Sequence, residues 1–540
     1  MLADVIVGAA ERPAVIDAGA ETVPFPHYWN RAVGAGRAAE GLRADWLEHL
    51  DLAATECGFE NVRFHGLFHD DMFVLTERAG SHVLNFHYVD AVFDRLLERG
   101  VRPFVEFGFS PRVLARATET VFWWKGHGAP PSDLDAWCAL VVASLQHWID
   151  RYGRTEVVRW YFEVWNEPNL RPFFDGDRSE YYKLYEATAR AIKSVDDRFR
   201  VGGPATSNFV PDARFDGERE NIALHTDAEP EVLDGLTWRP VWVEHFLAWC
   251  VERKIPLDFL SCHPYPTDWA LDEHGQGRKL TRGVDATPTD LRLLRKIVTE
   301  SARPELEIHI TEWSSSSSSR DHTHDSLPAA TFVVRSILHS VGLVDSMAYW
   351  TFTDIFEEQG AGHELFHGGF GLVTLPGIVK PTFHAYRMLA GLGEGLLHAD
   401  NELTVTRSAE ELVAIAYHYP PEESRSVPAS FDDRSGADET ESMGERRPFS
   451  ATFSGLVPGA TAQIEILDRS HGNAVAAWRR MGSPGVTTRE QENLLRDAAR
   501  ATLIRELRVG EDGGLHLALS LEPWSVVQLR APLAPRKDPE

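Results

Sequence analysis

The stretch Phe162-Glu163-Val164-Trp165-Asn166-Glu167-Pro168-Asn169-Leu170 reads as a buried strand that runs into a turn and presents a glutamate there. Ile308-His309-Ile310-Thr311-Glu312-Trp313 has the same form. Outward from these two segments, short apolar runs alternate with longer amphipathic ones. The runs expected as strands are Asn61–His65, Arg102–Phe107, Tyr161–Asn166, Val201–Pro204, Phe259–Tyr265, Glu307–Glu312 and Ser346–Thr351. Between them, helical periodicity covers Ala44–Cys57, Tyr88–Arg99, Leu134–Tyr152, Glu180–Val195, Val241–Arg253 and Pro288–Ser301. Alternating strand and helix predicts a parallel sheet. With a first strand near Tyr28–Val33 the count reaches eight, the number of a (β/α)8 TIM barrel, here over residues 26–390.

From residue 391 the pattern changes to short alternating runs: Leu403–Arg407, Leu412–Tyr417, Phe449–Phe453, Thr461–Leu467 and Val526–Leu529. These predict a smaller C-terminal β-sandwich over 391–540. Residues 1–25 fit no barrel strand and are expected to pair with that sandwich. Residues 420–448, rich in Ser, Asp, Glu and Arg, read as a mobile loop, and Thr487–Leu507 as a lone helix.

A chain of 540 residues exceeds a single core, which stops growing at roughly 250–300 residues. Its formal charge of −27 opposes binding to nucleic acid and to anionic membranes, so neither is an expected partner. Cys57, Cys138, Cys250 and Cys262 form no CxxC pair and read as free thiols in a reducing compartment. His322 and His324 have no third clustered ligand, so no metal site is expected. Without a P-loop or GxGxxG motif, no nucleotide cofactor is expected either. The N-terminus lacks the basic start and apolar run of a signal peptide, and no window suits a membrane span, which predicts a cytoplasmic protein.

In a TIM barrel, chemistry sits at the C-terminal strand ends. Strands four and seven both end in glutamate, and the barrel sets those ends across one mouth. One such glutamate is most simply an ion pair. Two facing carboxyls suit glycoside cleavage, in which one attacks the anomeric carbon and the other protonates the leaving oxygen when they lie about 5–5.5 Å apart. Arg63 and His65 share a face of strand two. Arg63 suits holding a carboxylate ionised, or pairing structurally with Glu106 or Glu163, while His65 suits a sugar hydroxyl. His263 and Tyr265 share a face at the end of strand six. Trp350 ends strand eight, where its ring can floor a sugar site. The Ser314–Ser319 run reads as a flexible loop.

Taken together, the residues resemble glycoside hydrolase family 39 of clan A, specifically its bacterial β-xylosidases. The matching segments include RADWLEHLDLAATECGFENVRFHGLFHDDM (43–72), RPFVEFGF (102–109), FEVWNEPNL (162–170), DFLSCHPYP (258–266), HITEW (309–313), YWTFTDIFEEQG (349–360) and FHGGFGL (366–372). The resemblance implies a retaining mechanism with Glu167 as acid/base and Glu312 as nucleophile. It also implies sugar contacts from His65, Asn166, His263, Tyr265 and Glu358, with Asn166 toward the 2-hydroxyl. An exo-acting β-xylosidase on short xylo-oligosaccharides or other small glycosides, forming a homo-oligomer such as a tetramer, is the expectation. The alternatives are an α-L-iduronidase, a β-glucosidase, an α-L-arabinosidase or a catalytically silent sugar-binding barrel. The family pattern departs after the nucleophile, where Trp313 and six serines stand, and in a longer connection at 211–240.

Overall fold

The computed structural model describes residues 14–226, 235–271, 277–421 and 426–533. Eight parallel strands close a barrel: β1 (Val33–Arg37), β2 (Asn61–His65), β3 (Arg102–Phe107), β4 (Tyr161–Val164), β5 (Arg200–Ser207), β6 (Phe259–His263), β7 (Glu307–Trp313) and β8 (Ser346–Tyr349). Each pairs with the next, and Tyr349 opposite Val33 closes the ring.

The first strand lies later than the sequence predicts. Tyr28–Asn30 is a 3-10 turn, with Tyr28 and Trp29 buried and the Tyr28 hydroxyl donating to Ile337 O at 2.7 Å. β1 is instead the glycine-rich VGAGR, because nothing larger fits. A Cβ on Gly34 would lie 2.3 Å from the Trp350 ring, and one on Gly36 2.5 Å from the Glu40 carboxylate.

The connecting helices begin where side chains satisfy their free N–H groups. Asp133 accepts from Asp135 N and Ala136 N to start Leu134–Tyr152. Asp177 and Glu180 form a capping box that starts Arg178–Val195. Their apolar faces pack on the outside of the barrel: Trp137, Leu145 and Trp148 from the first helix, Tyr181 and Tyr185 from the second.

Inside the barrel, side chains alternate into two layers. The lower layer is an aromatic plug of Phe104, Tyr161 and Phe259, with His309 against it. The upper layer, two residues further along the strands, is polar: Arg63, Glu106, Glu163 and Thr311. The lower layer seals the barrel, and the upper one forms the base of the mouth.

The second unit holds a seven-stranded sheet in the order Val23–Pro24, Gly395–Ala399, Leu403–Arg407, Glu411–Tyr417, Val526–Pro532, Thr461–Leu467, Leu503–Arg508. A three-stranded sheet, Ala14–Asp17, Arg447–Ser454, Leu515–Leu521, covers one face of it over a core that includes Leu412, Phe449, Phe453 and Leu529. The opposite face, through Val413, Ile415 and Val526, joins the barrel core. Thus Ala14–Asp17 and Val23–Pro24, ahead of the barrel, each supply an edge strand to one sheet, while residues 1–13 of the segment expected to pair there lie outside the described residues.

Two expectations for this unit need correction. The helix ends at Arg500 and Leu503–Arg508, where apolar and charged residues mix, is a strand paired to Thr461–Ile466. Within the segment expected to be a mobile loop, Arg434–Ser442 is a helix capped by Asp433, and Arg434 pairs with Glu364 at 2.7 Å.

Candidate active site

The C-terminal ends of the strands open into a cavity of about 400 Å³ whose lining includes His65, Asn166, Glu167, Tyr265, Glu312, Trp350 and Glu358. Arg63 and His263 lie directly beneath it, both fully buried. The structure therefore gathers all nine residues singled out from the sequence in one place.

Local backbone geometry aims the two glutamates. After β4, Trp165 and Glu167 take positive φ values of 72° and 44°, a strained region for these residues. The turn is held by Trp165 N donating to Phe107 O at 3.1 Å and Glu167 N to Ala205 O at 2.9 Å. On β7 the register with β8 shifts between Ile310 and Trp313, an irregularity that turns Glu312 into the mouth beside Thr311. One oxygen of Glu167 and one of Glu312 lie within 4.8 Å of each other.

Arg63 organises the charges. Its Nε donates to Glu163 Oε2 at 2.6 Å, Nη1 to Glu312 Oε1 at 2.7 Å and Nη2 to Asn166 Oδ1 at 2.9 Å. Nη2 also lies 3.1 Å from Glu106 Oε2. Arg63 thus contacts Glu312 as well as Glu106 and Glu163. The Tyr265 hydroxyl donates to Glu312 Oε2 at 3.2 Å. His65 Nδ1 sits 2.5 Å from Glu106, and its Nε2 lies 3.5 Å from Glu312 and 3.6 Å from Glu358. His263 Nδ1 is 2.9 Å from Glu167 Oε1.

Burial sets the protonation. It pushes Glu167 well above the usual carboxyl range, and the charge of Glu312 adds to the shift. Burial raises Glu312 too, but the Arg63 guanidinium opposes it there, so a proton shared by the two falls on Glu167. Glu358 is pushed well up by burial and by its acidic neighbours. Burial lowers His65 to about 3 and His263 well below its ordinary value, so both rings are neutral.

Trp350 forms part of the floor, with the His65 ring 4.9 Å away and the Arg63 guanidinium 5.9 Å away. Phe122 and Phe173, packed 5.3 Å apart, line one wall. Neither has a role legible in the sequence: Phe173 stands three residues past Asn166–Leu170, where Phe173-Phe174 replaces the family's Phe-Trp, and no motif marks Phe122. The long connection after β5 brings Arg214, Phe215 and His225 to the cavity. The serine run is not a flexible loop. Ser314, Ser315, Ser316 and Ser319 are buried, Ser317 N bonds Thr267 Oγ1, and Ser317 and Ser319 face the cavity.

Glu167, His263 and Glu312 are spaced so that a cation can use one atom from each. Glu167 Oε1, both Glu312 oxygens and both His263 nitrogens are engaged in hydrogen bonds, and Arg63 already places positive charge at Glu312. His324 lies outside the cavity and bonds Gly368 O through Nδ1 at 3.2 Å.

A parallel barrel carrying two opposed carboxyls at its mouth is the layout of a glycoside hydrolase. The family model for glycosyl hydrolases family 39 matches residues 14–505. A β-xylosidase of Geobacillus stearothermophilus is 36% identical over 92% of this chain and 91% of its own length. The crystal structure of a family 39 enzyme from Xanthomonas axonopodis pv. citri superposes with a TM-score of 0.83 at 32% identity, covering 98% of both chains. A monomeric β-xylosidase from Caulobacter crescentus CB15 does so with a TM-score of 0.81 at 30% identity, covering 96% of this chain and 99% of that one. The chain belongs to glycosyl hydrolases family 39. Among the described residues, no helix is long and apolar enough to cross a membrane.

Proposed function

We propose that the chain is a retaining, exo-acting β-xylosidase that releases xylose from short xylo-oligosaccharides. The observation that carries the mechanism is the close approach of Glu167 and Glu312, within 4.8 Å oxygen to oxygen. That spacing matches direct attack, whereas inversion needs roughly 6.5–9.5 Å to admit a water.

In the first step a Glu312 oxygen bonds to the anomeric carbon as the glycosidic C–O bond breaks and Glu167 gives its proton to the leaving oxygen. Arg63 and Tyr265, each on one Glu312 oxygen, keep that carboxylate aimed and favour its charge. Esterification removes the charge that had raised Glu167, which then accepts a proton from water as the water oxygen displaces Glu312. Asn166, held by Arg63, and His65 and Glu358 supply hydroxyl contacts, with Trp350 under the sugar ring. Xylose is favoured by the relatives named β-xylosidase. The α-L-iduronidase alternative is disfavoured because a mouse relative of that name matches over only 37% of this chain.

The test is proton NMR of an aryl β-xyloside digest. A first-formed β-anomer of xylose supports the reading. A first-formed α-anomer, or no cleavage, rejects it.

A further inference from the structure

Beneath the cavity, an unbroken run of hydrogen bonds joins Glu167 to Glu312. Glu167 Oε1 lies 2.9 Å from His263 Nδ1, and His263 Nε2 lies 3.0 Å from Thr311 Oγ1. Thr311 Oγ1 donates to Glu163 Oε1 at 2.8 Å. Glu163 Oε2 accepts from Arg63 Nε, and Arg63 Nη1 donates to Glu312 Oε1. Arg63, Glu163, His263 and Thr311 are all buried.

The position of each hydrogen follows from the arginine. A guanidinium only donates, so Glu163 accepts there, and it accepts again from Thr311. A hydroxyl has one hydrogen, and that of Thr311 is committed to Glu163. Thr311 can therefore only accept from His263, which places the ring hydrogen on Nε2. The ring is neutral, so Nδ1 turns a bare lone pair toward Glu167. A protonated Glu167 matches it, and an ionised one does not.

We propose that Thr311 is a positioning residue that fixes the tautomer of His263, so that Nδ1 accepts the acid proton of Glu167 in the resting enzyme. This deepens the preceding reading and rests on Glu167 being the acid. The proton is held at Glu167 Oε1 until the glycosidic oxygen replaces Nδ1 as its acceptor. Once it is transferred, the Glu167 anion faces a lone pair, which favours recovery of a proton from water in the second step.

Glu167 is faced by Glu312 on β7, His263 on β6 and Tyr265 just beyond it, Arg63 on β2, Glu106 on β3 and Glu358 after β8. Thr311→Val leaves all of these in place. It removes the oxygen that accepts the His263 hydrogen and, with it, the hydroxyl hydrogen donated to Glu163, and Thr311→Ser restores both. The ring then gains by carrying its hydrogen on Nδ1 and donating to an ionised Glu167, which lowers the pKa of the acid.

The experiment is the pH profile of kcat/KM on xylobiose. For Thr311→Val the alkaline limb is expected about one pH unit lower, with roughly tenfold less activity near neutrality. Thr311→Ser, which keeps the hydroxyl, restores the wild-type profile. A dinitrophenyl β-xyloside, whose leaving group needs no proton, shows little change in either variant. An unmoved limb, or equal losses on both substrates, overturns the proposal. Neutron diffraction of the wild-type enzyme gives a readout independent of any variant: deuterium on His263 Nε2 supports it and deuterium on Nδ1 overturns it. Net inversion on an aryl xyloside, by contrast, rejects the retaining mechanism and leaves the tautomer measurable.

Discussion

The two ends of the barrel treat charge in opposite ways. At the lower end, arginines meet their partners near water. Arg102 pairs with Glu156 at 2.8 Å, Arg31 donates to Asp345 O at 3.2 Å, and Arg200 stacks 3.6 Å from the Tyr161 ring. At the mouth, Glu106, Glu163 and Glu312 share the single guanidinium of Arg63. Glu167 and Glu358 meet only the neutral rings of His263 and His65 among the ion-pair contacts found for the described residues. Balanced, solvated pairs contribute little but cost little. A buried excess of carboxyls must instead hold protons, and movable protons are what an acid/base reaction uses. The lower end supports the fold, and the upper end stores the chemistry.

The largest test of this contrast is Glu312→Ala. It is expected to lower kcat by at least about 10⁴-fold while the thermal midpoint stays within a few degrees of wild type, because it also relieves the crowding of carboxyls. A variant retaining most of its turnover would break the assignment. Next in size is a matched pair of substitutions followed by chemical denaturation. Arg63→Met leaves buried carboxylates unmatched and is expected to cost about 3–5 kcal/mol. Arg102→Met, at a partly exposed pair, is expected to cost under about 1 kcal/mol. Equal losses would erase the distinction between the two ends.

The smallest expected effect is a pH dependence. Glu40 follows β1, is 1% exposed, and accepts from Arg37 N at 3.2 Å and Glu357 N at 3.1 Å. Burial pushes its carboxyl up to about 8, against an ordinary value of 4.5. A folded-state value above the unfolded one means that the native protein binds more protons between the two. The stability contributed by Glu40 is therefore complete below about pH 4.5 and is lost as pH rises through about 8. The thermal midpoint is expected to fall from pH 5 to pH 8, and Glu40→Gln to flatten that fall. An unchanged slope in the variant would remove Glu40 from the account.

Most barrel strands are legible because apolar runs end in turn residues, and the two glutamate-ending strands announce themselves. β1 is not, because VGAGR was shaped by the space left beside Trp350 and Glu40 rather than by strand propensity. At the site, Arg63 and His65 could be read from period-two alternation. The same alternation points Glu106, Glu163 and Thr311 inward. Which of them bond each other depends on cross-barrel distances that no local pattern contains. Phe122 and Phe173 lie on loops and become cavity walls only through long-range packing. The serine run misleads because its composition suits a mobile loop, while its hydroxyls and backbone bond within the fold.

One feature of the second unit bears on how the molecule is made. Ala14–Asp17 lies in a sheet beside Ala451–Ser454, and Ser454 and Ile16 stand 438 residues apart. As the chain is synthesised, Ala14–Asp17 has no partner in its sheet until Arg447–Ser454, beyond the whole barrel, has been made. The barrel can therefore close first, and the β unit is completed later, by a strand that precedes the barrel in the chain.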